Sequence, residues 1–155
     1  MSDIEVRLVR LAPMRVASVR AVSESPERGA WEALRAWAGP RGLLDDAQAH
    51  PVFGFNNPNP SAGRAEYGYE LWIRVAADTA AEEEIEIKDF AGGLYAVTGC
   101  RLHGAASLPE VWKKLWDWAQ SGDHKWRRTH ELEQVRNPQA PEEEMVLDLY
   151  LPVEG

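Results

Sequence analysis

Cysteine is almost missing from this chain. Cys100 is the single one among 155 residues, so no disulfide can close within the chain, and its alternating neighbours mark it as a buried strand residue rather than a nucleophile. Long apolar runs are missing too. None approaches the roughly 18 residues of a spanning helix, so no membrane insertion is expected. Basic charge is in the minority: 17 Lys and Arg stand against 25 Asp and Glu, for a net charge of -8. A negative balance opposes attraction to polyphosphate, and direct nucleic-acid binding is not expected. The short cluster Lys125-Trp126-Arg127-Arg128, between Asp123 and Glu131, reads as a solvated loop.

Several catalytic signatures are also wanting. His50, His103, His124 and His130 have no HExxH or CxxC spacing around them, so neither a metal nor a cofactor is expected. There is no GxGxxG after a strand, no P-loop and no GxSxG, and Ala91-Gly92-Gly93-Leu94 reads as a strand bend rather than a phosphate cradle. The start, Met1-Ser2-Asp3-Ile4-Glu5-Val6-Arg7, has neither the basic opening nor the apolar core of a secretory signal. The cytoplasm is the expected location.

What the chain does have is a duplication. With 45 % apolar and 27 % charged residues it suits a single globular domain over 1–155, and its second half repeats the first at an offset of about 80 residues. Val16-Ala17-Ser18-Val19-Arg20 answers Ala96-Val97-Thr98-Gly99-Cys100, and Trp31 to Ala38 answers Trp112 to Ala119 with Trp, Leu, Trp and Ala coinciding. Phe55-Asn56-Asn57-Pro58 answers Gln134 to Pro138, and Tyr69 to Val75 answers Leu147 to Val153. Two copies suggest an internal pseudo-dimer rather than a solenoid.

Each copy reads as strand, helix, strand, strand, an α+β pattern with repeat one over about 4–76 and repeat two over about 84–154. A bent strand is predicted over 5–22, then a helix of about ten residues ending at Gly39-Pro40, and strands at Phe53-Gly54-Phe55 and Tyr67 to Val75. After an acidic linker, Ala76 to Glu84, come a bent strand over Ile85 to Leu102, a helix over 109–120 with Ser107 as N-cap, and strands at 131–135 and 145–153.

Alternation assigns the chemistry. Tyr67, Tyr69, Leu71, Ile73 and Val75 share the core face of their strand, while Glu70, Trp72 and Arg74 share the other; Asp148 and Tyr150 recur on the equivalent face of the last strand. A carboxylate followed two residues later by an aromatic thus occurs twice. If a pseudo-two-fold axis relates the repeats, these four residues line a groove that suits a lipophilic cation, with rings for cation–π contact and carboxylates for charge balance. A half-exposed sheet would give the same alternation, with both acids in water. Trp112, Trp116 and Trp118 with Leu115 exceed one helical stripe, so one indole is free to face a groove, although a helical tryptophan is most often core.

The Phe53-Gly54-Phe55-Asn56-Asn57-Pro58-Asn59-Pro60 turn leading to Glu66-Tyr67-Gly68-Tyr69-Glu70-Leu71-Trp72, Gly92-Gly93-Leu94-Tyr95-Ala96-Val97, and Leu147 to Val153 together resemble the GyrI-like small-molecule-binding superfamily. The Tyr-Gly-Tyr-Glu stretch is similar to its integron-associated effector-binding branch. The resemblance implies a pseudo-two-fold duplicated module with a curved antiparallel sheet and two main helices, binding amphipathic, often cationic, compounds between the repeats. It implies Glu70 as the sheet acid of repeat one and Asp148, where relatives often carry Glu, as that of repeat two. Trp72, Tyr150, Tyr69, Trp112, Trp116 and Phe55 complete the expected ligand-binding set, with no catalytic residue.

Many relatives carry a helix-turn-helix module. This chain starts at its first strand and is expected to be a stand-alone binder, monomer or homodimer, of an amphipathic cation, with a separate regulator protein as a further partner. Two alternatives follow from the resemblance: a hydrolase of strained, cyclopropanoid-type electrophiles, and a protein inhibitor of DNA gyrase.

Overall fold

The structure, a computed structural model, describes residues 4–82 and 85–155. Met1 to Asp3, part of the stretch read for a signal, and Glu83 and Glu84 of the acidic linker lie outside the described residues. Those described form eight strands and two α-helices: β1 Arg7–Leu11, β2 Met14–Ser23, α1 Pro26–Ala38, β3 Val52–Asn56, β4 Tyr67–Arg74, β5 Glu86–Phe90, β6 Gly93–Arg101, α2 Leu108–Ser121, β7 Leu132–Val135 and β8 Val146–Pro152. The fold is α+β with antiparallel strand pairing throughout the named registers. No helix among the described residues is long and apolar enough to cross a membrane.

The chain divides into two compact units, one over Met14–Phe90 and the other combining the residues up to Pro13 with Ala91–Gly155. In the first unit the strands run β3-β4-β2-β5, and α1 packs on β2 and β4. Ala30, Leu34, Trp37 and Ala38 of α1 meet Ala17, Val19, Val52, Tyr69, Leu71 and Ile73 of the sheet in one apolar cluster. This is the core face that alternation predicts. Burial there supplies the main driving force at about 25 cal/mol per Å² of apolar surface. In the second unit the strands run β1-β6-β8-β7, with α2 on β6 and β8. Reading each unit outward from its central pair, β2 with β4 and β6 with β8, gives the same order twice.

Both strands predicted as bent are each two strands. Pro13 has no N–H to continue a ladder, and β1 and β2 go to different partners: β1 pairs with β6, and β2 with β4 and β5. At the other break Gly92 and Gly93 have φ of 75° and 132°, and a Cβ on Gly92 would run into the Leu11 carbonyl. Each unit therefore takes its edge strand from beyond its sequence repeat.

Helix α1 runs 13 residues, because Pro26, pre-set for the first turn, starts it ahead of the tryptophan pattern. Helix α2 opens on a full capping box: Ser107 accepts from the Glu110 amide, and Glu110 reaches back to the Ser107 amide.

Candidate ligand-binding site

In the Met14–Phe90 unit the sheet face turned away from α1 is buried as well. Directly opposed residues of an antiparallel pair share a face, and the register sets Phe53 beside Trp72, Phe55 beside Glu70, and Ser18 beside Trp72. Phe53, Phe55, Trp72 and Glu70 are all buried, the carboxylate residue at 1 % exposure. A solvated acid is thereby excluded for Glu70. Its rings are in contact: Phe55 meets Trp72 edge-on at 4.7 Å between centroids, and Phe90 of β5 lies 5.2 Å from Trp72.

Four donors converge on Glu70. Oε2 accepts from the Ser18 hydroxyl and the Trp72 indole, both at 2.6 Å, and from Lys88 Nζ at 2.7 Å; Oε1 accepts from the Asn57 amide at 2.9 Å. Each donor has a structural reason to be there. Trp72 follows Glu70 by two residues on one strand face, and Ser18 is its cross-strand neighbour. Asn57 is fixed at the hairpin, its backbone N–H donating to the Gly68 carbonyl at 2.8 Å. Burial by itself would raise the Glu70 pKa, but hydrogen bonds from Lys88, Ser18, Asn57 and Trp72 outweigh it and hold the carboxyl at about 2. Glu70 is an ionised, buried carboxylate.

The second unit repeats the pattern with different partners. Asp148 lies opposite Gln134 and Gly99, and Tyr150 opposite Leu132 and Val97, on the face turned away from α2. Asp148 Oδ2 takes an ion pair from Arg7 at 3.2 Å and a looser one from Arg136 at 3.7 Å. Its Oδ1 is buried and has no hydrogen-bond partner among the described residues. A Cβ on Gly99 would lie 3.4 Å from Oδ1, at ordinary contact distance. The Tyr150 hydroxyl donates to Gln134 at 2.7 Å, and the Tyr95 and Tyr150 rings meet edge-on at 5.6 Å. Burial raises the pKa of both phenols; the Asp148 charge adds to the rise at Tyr150, while Arg127, which stands over the Tyr95 ring, opposes it there.

The structure thus gathers Glu70, Trp72 and Phe55 on one face, and Asp148 and Tyr150 on the matching face of the other unit. Tyr69, one residue from Glu70, points to the α1 core, its ring crossing Gly54. Trp112 and Trp116 lie on α2, on the opposite side of their sheet from Asp148. Trp112 donates to Glu133 at 3.2 Å, and Trp116 lies 6.3 Å from Trp126. Cys100 is half-buried in β6, where burial first, then the Glu133 and Asp148 charges, pushes the thiol up to about 11. Among the described residues no group of three or more His, Cys, Asp or Glu is placed to hold a metal.

Sequence reasoning missed Ser18, Asn57, Lys88, Phe53 and Phe90 around Glu70, and Arg7, Tyr95 and Gly99 around Asp148. One cause is a slipped alignment. Matching Ser18 to Thr98 puts the two on opposite faces, because Ser18 opposes Trp72 whereas Val97, not Thr98, opposes Tyr150. Aligned through the acids, Ser18 answers Val97. The alternation of Lys88 with Phe90 in β5 was a usable signal for the others.

Two α+β units of one topology each bury an acid, beside an aromatic residue two positions on, on the sheet face turned away from their helix. The model of the GyrI-like small molecule binding domain matches residues 4–154, and the chain belongs to that family. Among curated proteins none matches the sequence. Solved structures share the fold at low identity. A hydrolase encoded by lin2189 from Listeria innocua is 10 % identical with a TM-score of 0.70, over 99 % of this chain and 93 % of that one. SAV2435 bound to tetraphenylphosphonium is 14 % identical with a TM-score of 0.56, over 98 % and 95 %. EcmrR in its complex with DNA is 14 % identical with a TM-score of 0.70, over 97 % of this chain and 57 % of that one.

Proposed function

We propose that this protein binds amphipathic organic cations, without chemical change to them, on the acidic, aromatic sheet faces that carry Glu70 and Asp148. The observation that carries this reading is the burial of an acid among rings at matching places in both units. A carboxylate in such a setting attracts a cation whose own hydration is weak, and the rings supply area and quadrupole attraction. Asp148 adds an unsatisfied acceptor, Oδ1. A buried acceptor left without a donor costs about 1–3 kcal/mol, which a ligand donor recovers. The tetraphenylphosphonium held by SAV2435 is an amphipathic organic cation, which such a face would hold by charge and ring contact alone.

Titration of tryptophan fluorescence with tetraphenylphosphonium tests the reading. Quenching is expected, with Glu70→Gln and Asp148→Asn each weakening binding by about tenfold, equivalent to roughly 1.4 kcal/mol. Affinity unchanged in both variants would remove the charge argument.

A further inference from the structure

We infer that Lys88 is a tethered counter-ion which an incoming organic cation must displace from Glu70, with Glu86 receiving the displaced ammonium. The inference rests on the proposed cation binding at the Glu70 face and adds to it a determinant of which cations succeed.

Of the four donors on Glu70, only Lys88 carries charge. It is also built to leave. Glu70 is 1 % exposed at its side chain and Lys88 38 %, so the flexible lysine stem comes to the carboxylate from the solvent side. Ser18 and Trp72 are buried in the sheet, and Asn57 is pinned at the hairpin. These three neutral donors stay when the ammonium goes, and they keep Glu70 ionised for its new partner.

The ammonium has somewhere to go. Glu86 Oε2 lies 3.8 Å from the same Nζ, on a side chain 78 % exposed. Glu86 precedes Lys88 by two residues in β5 and so shares its face. A shift of the stem exchanges one carboxylate for the other without stranding either charge. The neighbouring cations do not compete for Glu70: Arg20, its cross-strand neighbour, is turned to the Asn57 carbonyl at 3.3 Å, and Arg74 is exposed at the end of β4.

Selectivity follows. An intramolecular ammonium competes at an effective concentration on the order of millimolar. A small, strongly hydrated cation gains nothing over it, whereas a cation with a large apolar body adds contact with Phe53, Phe55, Trp72 and Phe90. A neutral ligand leaves the ion pair intact and gains ring contact alone.

Two measurements with tetraphenylphosphonium test this. The first is pulse acetylation of the wild-type protein, read residue by residue by mass spectrometry, with Lys113, paired to Asp117 on the exposed side of α2, as internal reference. Saturating ligand is expected to raise labelling of Lys88 several-fold and leave Lys113 unchanged. The second is calorimetric titration of Lys88→Met, expected to bind about tenfold more tightly than wild type. Binding with Lys88 labelling unchanged or lowered overturns the inference and leaves the binding reading standing. No binding to wild type and Lys88→Met alike overturns both. Should Lys88→Met not fold, the labelling of the wild type decides.

Discussion

Glu70 shows at the scale of one residue how burial and charge are reconciled. An isolated carboxylate cannot be buried ionised; three neutral donors and one ammonium make it possible here. The pH dependence has a definite sign. The carboxyl titrates near 4.5 when the chain is unfolded and at about 2 when folded, so the unfolded state takes up the proton first as pH falls. Stability that is complete above pH about 4.5 is lost progressively toward pH about 2, on the order of 3 kcal/mol in all. Urea unfolding followed across this range should show a shallower acid loss in Glu70→Gln, and an unchanged slope would show that another group governs it. Gly54 is the other residue with a sharp expectation. A Cβ there meets the Tyr69 hydroxyl, so Gly54→Ala must displace a core ring and should destabilise by about 1–3 kcal/mol in the same assay.

The two helices, repeats of one another in sequence, differ at the scale of the element in how they begin. Ser107 closes a capping box on α2, whereas Ser25 before α1 makes no side-chain cap bond. Ser107→Ala should therefore cost about 1 kcal/mol in thermal or urea unfolding, and Ser25→Ala distinctly less. Helix α1 is held instead by its packed stripe, where Leu34 is fully buried. Leu34→Ala should cost about 2–5 kcal/mol. The elements themselves were largely legible in the sequence: Trp31, Leu34 and Trp37 at helical spacing, Ser107 to Glu110 as a start signal, and alternation through Tyr67 to Val75. The two bent strands were not. Pro13 and Gly92-Gly93 mark a break in either case, and nothing local tells a bend from a change of partner.

At the scale of the whole molecule the sequence repeat and the compact unit are offset from each other. The Met14–Phe90 unit contains β2 to β5 and α1, whereas a fragment cut at the sequence repeat, 4–76, keeps β1 without its partner β6 and loses β5 from β2. A fragment of residues 14–90 should therefore unfold at a higher urea concentration than one of 4–76, with circular dichroism as the readout. Equal stability would mean that β5 contributes nothing to its unit. Losing β5 also removes Lys88 and Phe90 from Glu70.

Local pattern along the chain sufficed to place both helices and most strands, to show that the pattern occurs twice, and to put Glu70 and Asp148 on the strand face opposite the apolar one. Periodicities of 3.6 and 2 are local properties, readable wherever neighbours along the chain decide the geometry. Tertiary structure alone decided what surrounds the acids. Lys88 reaches Glu70 across 18 positions and Arg7 reaches Asp148 across 141, through strand registers set by packing rather than by adjacent residues. A slip of one position reverses every face, so the counter-ion of each buried carboxylate became fixed only when the sheets did.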